Sequence, residues 1–204
     1  MAINYKKCPK CGSKNSVVIV YGMPSYELAL EAEAGKVKLG GCVEIIGNAE
    51  YFCKDCENEW NREQAIDEAY SRIKAIKASV GGYFGGYYDV TIDLTNLETT
   101  WSFNEGELEE TSMKSIRVAT AEAFMEKLKM MDLLNWKAKY IESGVCDGTH
   151  WSVEILTDGR IIKKYGDNMF PEEWDLFCRL IRRITNRKFQ KIGVLLTIPL
   201  KRNL

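Results

Sequence analysis

The chain has 204 residues, 46% of them hydrophobic and 28% charged, and a formal net charge of −1. That is an ordinary globular composition, long enough for one large domain or two small ones. It contains no run of about 18 apolar residues to cross a membrane, and no apolar segment follows the lysines of "MAINYKKCPK" as a secretory signal would require. The expectation is a cytoplasmic protein.

Residues 1–60 read as a metal-stapled module. Four of the seven cysteines form two Cys-x-x-Cys pairs, Cys8/Cys11 and Cys53/Cys56, a usage that suits metal binding in a reducing compartment better than a disulfide framework. The two-residue gap lets one tight turn aim both sulfurs at a point. Gly12 supplies the backbone freedom such a turn needs. Zinc in a structural role takes four thiolates in a tetrahedron, so one structural Zn2+ is expected on Cys8, Cys11, Cys53 and Cys56, with Tyr51, Phe52 and Trp60 close by. A redox pair would want one Cys-x-x-Cys opening a helix rather than two ending turns. Cys42 has no Cys or His two residues away to share a turn with. It is expected to be the spare thiol, buried and inert, at the start of a strand leading toward Cys53.

The pieces "CPKCGS", "IVYGMPSYELALEAEAGKVKLGGC" and "YFCKDCENEW", roughly residues 5–60, resemble a zinc-ribbon segment of small bacterial proteins of unknown function. There a Tyr-Gly-x-Pro turn, a short helix and a Leu-Gly-Gly-Cys strand are inserted between the cysteine pairs. The resemblance implies a zinc ribbon and no activity.

From Asn61 to about Ser79, Ile66, Tyr70, Ile73 and Ile76 recur at helical spacing, with Asn61 as N-cap and Glu63 in the first turn. The glycines of "GGYFGGYY" (81–88) end this helix. The chain is therefore expected to divide into a zinc ribbon (1–60), a helical connector (61–80) and a second domain (81–204). In that domain "YYDVTIDL" alternates with period two, and Thr99, Trp101 and Phe103 continue as a hairpin. "NEGELEE" reads as an acidic loop, and residues 113–118 as a third strand. Thr120 is expected to cap a helix to about Met131, and Trp136, Ala138 and Tyr140 to alternate in a strand. Trp151, Val153 and Ile155 alternate before Asp158-Gly159, a type I′ hairpin signal. Pro171 opens a last helix with Glu172 and Glu173 in its first turn, striped by Trp174, Phe177, Leu180, Ile181 and Ile184. "VLLTI" offers a final strand. The whole is an α+β expectation: a ribbon, then an antiparallel sheet with two helices on one face. The stretch "DGTHWSVEI…YGDNMFPEEWDLF" is similar to a second bacterial domain of unknown function, which again implies no activity.

Charge is unevenly spread. Residues 61–110 carry 4 Lys+Arg against 10 Asp+Glu, whereas Arg179 to Leu204 holds eight basic residues and no acidic one. Arg179, Arg182, Arg183, Arg187, Lys188 and Lys191 are thus candidates for phosphate contact, although cations late in a helix also complement its dipole. His150 could be imagined with Cys146 and Asp147 as a nucleophilic cluster, but an exposed strand histidine is the better reading. Asp147, Asp167 and Asn168 read as turn residues. No phosphate loop, His-Glu-x-x-His or Gly-x-Ser-x-Gly is present. Tyr83, Phe84, Tyr87 and Tyr88, with Trp101, Trp136 and Trp151, are core or a stacking groove. The leading expectation is a non-catalytic, zinc-binding protein-interaction module. Nucleic-acid binding through the basic end is the alternative, and an enzyme with an unrecognised site in the second domain is the third reading.

Overall fold

The computed structural model describes residues 3–82, 85–141 and 148–191. The chain divides into two compact units between Arg72 and Ile73.

In the first unit, β1 (Ser16–Val20) lies between β2 (Val37–Leu39) and β3 (Tyr51–Cys53), and β3 continues to β4 (Glu59–Trp60). β1 pairs with β2 in parallel and with β3 antiparallel. The connection from β1 to β2 carries α1 (Tyr26–Glu33), capped by the Ser25 side chain, and α1 buries none of its residues. The small core holds Cys8, Tyr51, Cys53, Trp60 and Ala65. Tyr51 stacks on Trp60 with ring centroids 5.7 Å apart, and the Trp60 indole donates to the Tyr5 carbonyl at 2.8 Å. α2 (Arg62–Ser71) closes the unit. Asn61 forms a capping box with Gln64, each side chain accepting the other's backbone N–H.

The second unit is α+β: a seven-stranded sheet, with the helices on one face. Its strands are β5 (Ile73–Gly82), β6 (Gly86–Asp93), β7 (Glu98–Glu105), β8 (Leu108–Ser115), β9 (Lys139–Ile141), β10 (Thr149–Thr157) and β11 (Arg160–Asp167). They run in the order β8-β7-β6-β5-β10-β11-β9, antiparallel except for β9 beside β11. Register aligns Ile76, Ala78 and Val80 of β5 with Ile92, Val90 and Tyr88 of β6 and with Ile155, Val153 and Trp151 of β10. These define the inner face. α4 (Trp174–Thr185) meets it through Trp174, whose ring lies 4.6 Å from Trp151, and α3 (Val118–Met130) packs beside α4.

Several sequence expectations need correction. The helix does not run to Ser79. It stops at Ser71, and Ile73–Gly82 is the central strand, because Ile76, Ala78 and Val80 fill the inner face between two partner strands. The spacing of Ile73 and Ile76 satisfied a helix only while those neighbours were unknown. The acidic stretch is not a loop. β7 runs to Glu105 and β8 starts at Leu108, so only residues 106–107 form a turn, and Glu109 and Glu110 stand on the exposed edge strand β8, where charge discourages further pairing. α3 starts at Val118 with Arg117 at its N-cap, not Thr120. A short 3₁₀ turn at Leu133–Asn135 precedes β9, which is confined to Lys139–Ile141. In the β10–β11 hairpin only Gly159 takes a positive φ (82°), so the turn is not type I′. α4 starts at Trp174, three residues after Pro171, with Asp175 as its first-turn acid. "VLLTI", Tyr83, Phe84, Cys146 and Asp147 lie outside the described residues.

Candidate functional site

The two Cys-x-x-Cys turns are built alike. In the first, the Gly12 amide returns to the Cys8 carbonyl at 2.9 Å; in the second, the Glu57 amide returns to the Cys53 carbonyl at 2.9 Å. Each turn ends in a left-handed residue, Gly12 at φ 76° and Glu57 at φ 58°. Asp55 locks them together by accepting from the Ser13 hydroxyl at 2.5 Å and the Asn15 amide at 2.6 Å. Those two bonds hold its carboxyl below the usual carboxylate range. No spacing signal links Asp55 to residues 40 positions away, so this clamp was not legible in the sequence.

The result is a cluster of four thiols. The Sγ atoms of Cys8, Cys11, Cys53 and Cys56 all lie within 4.8 Å of one another, with 3.6 Å from Cys8 to Cys56 and from Cys11 to Cys53. A tetrahedron of sulfurs about 2.3 Å from a central zinc has edges of about 3.8 Å. The donor set therefore fits a tetrathiolate metal. Burial opposes ionisation of Cys8, but the backbone amides of Cys11 and Lys10 and the thiols of Cys11 and Cys56 bring it down to about 7. The Asn58 amide favours the Cys56 thiolate, yet the crowding sulfurs and burial push it up to about 12. Four thiols this close cannot all ionise unless a cation joins them. Cys42 stands outside the cluster, as expected, but it is exposed in coil after β2 and not buried in a strand. Its flanking glycines lead out of the sheet: a side chain at Gly40 would collide with Tyr21, and Gly41 sits at φ 95°.

The basic residues assemble a second feature. Arg179, Arg182 and Arg183 project from α4, Asn186 ends the helix at φ 58°, and Arg187 and Lys188 follow. All five cations line one open cleft of about 780 Å³ on the inner side of the sheet. Tyr88, Trp101 and Phe103 also line it, with Glu110 as the lone carboxylate. The Trp101 indole donates to the Lys188 carbonyl at 2.7 Å, and the Arg187 guanidinium lies 5.4 Å over its ring. Tyr88 and Phe103 are half-buried with centroids 4.7 Å apart. Lys191 is not part of the cleft: it pairs with Asp175 at 3.2 Å and lies over Phe170.

The remaining candidates disperse. Tyr87 is exposed, while Trp136 and Trp151 pack edge-on with centroids 6.4 Å apart and both contact Trp174 in the core. His150 is exposed on β10, with Nδ1 2.5 Å from Asp167 Oδ1. Asn168 accepts the Thr149 amide at 2.9 Å, and the Trp151 indole donates to the Met169 carbonyl at 2.8 Å. A side chain at Gly166 would strike that indole. The Thr-x-Trp and Gly-x-Asn pieces of "DGTHW…GDN" are thus mutually dependent parts of one strand-end clip. No known family model and no curated protein matches the chain.

Proposed function

We propose that the first unit is a structural zinc ribbon and that the protein is a non-catalytic interaction module of the reducing cytoplasm. One observation carries this reading: four thiols converge as the only metal-ligand cluster among the described residues. Four protein sulfurs complete a zinc tetrahedron, and a zinc with no open position activates neither water nor substrate. The six cysteines of the described residues are free thiols, in keeping with a reducing compartment. The all-thiolate tetrahedral donor set suits zinc and does not suit hard ions such as Mg2+ and Ca2+, which take oxygen ligands.

The surface offered to a protein partner is the insert between the cysteine pairs. Met23, Tyr26, Leu30, Val43, Ile45 and Ile46 there leave apolar side chains in solvent, surface that a protein partner can cover. The test has two arms. Metal analysis of purified protein should find one zinc per chain in wild type and in Cys42→Ala, and none in Cys53→Ser. A nuclease-resistant protein partner recovered from the host should be lost from Val43→Ser/Ile45→Ser/Ile46→Ser while zinc is retained. Zinc lost from Cys42→Ala would overturn the ligand set, and a partner held equally by the triple serine variant would place the interface elsewhere.

A further inference from the structure

We propose that the cationic cleft beside the C-terminal end of α4 is a binding site for single-stranded nucleic acid, with Tyr88 and Phe103 as its base-stacking platform. The proposal is independent of the metal centre.

Charge comes first. Arg179, Arg182, Arg183, Arg187 and Lys188 are all exposed, and among the described residues none forms an ion pair. Arginines at a helix C-terminus gain from the dipole, but that gain does not require them to gather with two cations from beyond the helix. The convergence is set by the fold. The Trp101–Lys188 bond draws the chain after Asn186 back onto β7 and brings Arg187 and Lys188 alongside the helix arginines. Five like charges repel one another, so a cleft that concentrates them is stabilised by an anion. The planar, fork-shaped guanidinium suits phosphate oxygens.

The aromatic floor then selects among anions. A simple anion site needs no ring surface. Here the inner face of β6 and β7 carries the buried Ile92, Val90, Thr99 and Trp101 and ends in the half-buried rings of Tyr88 and Phe103. Trp101 is fully packed under Arg187 and serves as support. A cavity of about 780 Å³ lies within the range that holds a drug-sized ligand, enough for a nucleotide or two. Single strands can turn bases out onto such rings while their phosphates follow a line of cations; a duplex keeps its base faces stacked internally. An acidic peptide would match the charge but leave the ring platform unused.

The test is fluorescence anisotropy of full-length protein with labelled 12-nucleotide dT and rU strands, a matching duplex and a poly-glutamate peptide. The single strands should bind, with a log–log salt slope of about −0.7 for each phosphate contacted. Arg182→Glu/Arg183→Glu, at exposed helix positions, should abolish binding. Phe103→Leu should weaken it about tenfold while leaving the salt slope unchanged, since it removes stacking and no charge. Comparison of dT with rU separates DNA from RNA as the source of the strand. The proposal is overturned if neither strand binds at 50 mM salt, or if the charge-reversed protein binds as tightly as wild type. Duplex or poly-glutamate bound more tightly than single strands would equally overturn it, the latter in favour of an acidic protein partner.

Discussion

Gly12 and Glu57 hold equivalent places in the two cysteine turns, and only one of them has the side chain the place prefers. A non-glycine residue at φ 58° carries a steric cost of about 1–2 kcal/mol, part of which glycine returns as lost chain freedom. Glu57→Gly should keep the metal and stabilise the first unit by about 0.5–1 kcal/mol, read from denaturant midpoints at constant slope; an unchanged or lower midpoint would show that the turn is not strained. Cys42 and Cys178 make a second contrast. Burial, with Asp175 next, pushes the Cys178 thiol up to about 12, whereas Cys42 is exposed and outside the cluster. Brief alkylation with peptide mapping should label Cys42 and spare Cys178 and the four clustered cysteines. Lys164 is the residue least legible in the sequence. It falls on the inward phase of β11, opposite Val153, and is buried with Nζ donating to the Leu134 and Trp136 carbonyls at 3.0 and 2.5 Å. Those acceptors lie about thirty residues away, so alternation puts the position inward while nothing local in the sequence shows what would satisfy a buried lysine. Burial lowers its pKa to about 8, against the opposing charge of Asp132, whereas an unfolded lysine titrates near 10.4. Between those values the unfolded chain holds a proton that the folded chain has released, so stability rises with pH across that window. Lys164→Met should lack this rise when unfolding is compared at pH 8 and pH 10.

Among the elements, strands and helices with a strong period were legible, and boundaries set by long-range pairing were not. The β6–β7 hairpin and the α4 stripe follow directly from alternation and helical spacing. β5 is hard to read in the sequence because its neighbour β10 is more than 65 residues downstream, and the small Ala78 leaves the Ile76–Ala78–Val80 alternation weaker than the helical spacing of Ile73 and Ile76. Its place in the sheet has a measurable consequence. A fragment starting at Gly81 loses the strand on which both β6 and β10 are registered, so it should be molten or insoluble. A fragment starting at Ile73 keeps all seven strands and should unfold cooperatively even with chelator present. Cooperative folding of the shorter fragment would mean that β5 is dispensable.

At the level of the whole molecule, the metal ligands were legible and the cleft was not. Cysteine spacing is local, and each pair reads on its own. The cleft joins residues from β6, β7 and the end of α4, about 80 to 100 positions apart, so its basic and aromatic halves were each visible while their convergence was not. Two units with separate cores should also answer separately to metal removal. Binding of a structural zinc is part of the folding free energy of its module, and protons compete with the metal for thiols of ordinary pKa about 8.5. Chelator or acid should therefore release the ion and unfold residues before Arg72, leaving the second unit's tryptophan signal and cooperative transition in place. The most direct measurement is X-ray absorption at the zinc edge of the purified full-length protein. The tetrathiolate reading requires a first shell of four sulfurs at about 2.3 Å with no nitrogen or oxygen. A shell containing oxygen or nitrogen, or an open coordination position, would contradict the closed structural site and with it the non-catalytic reading of the metal.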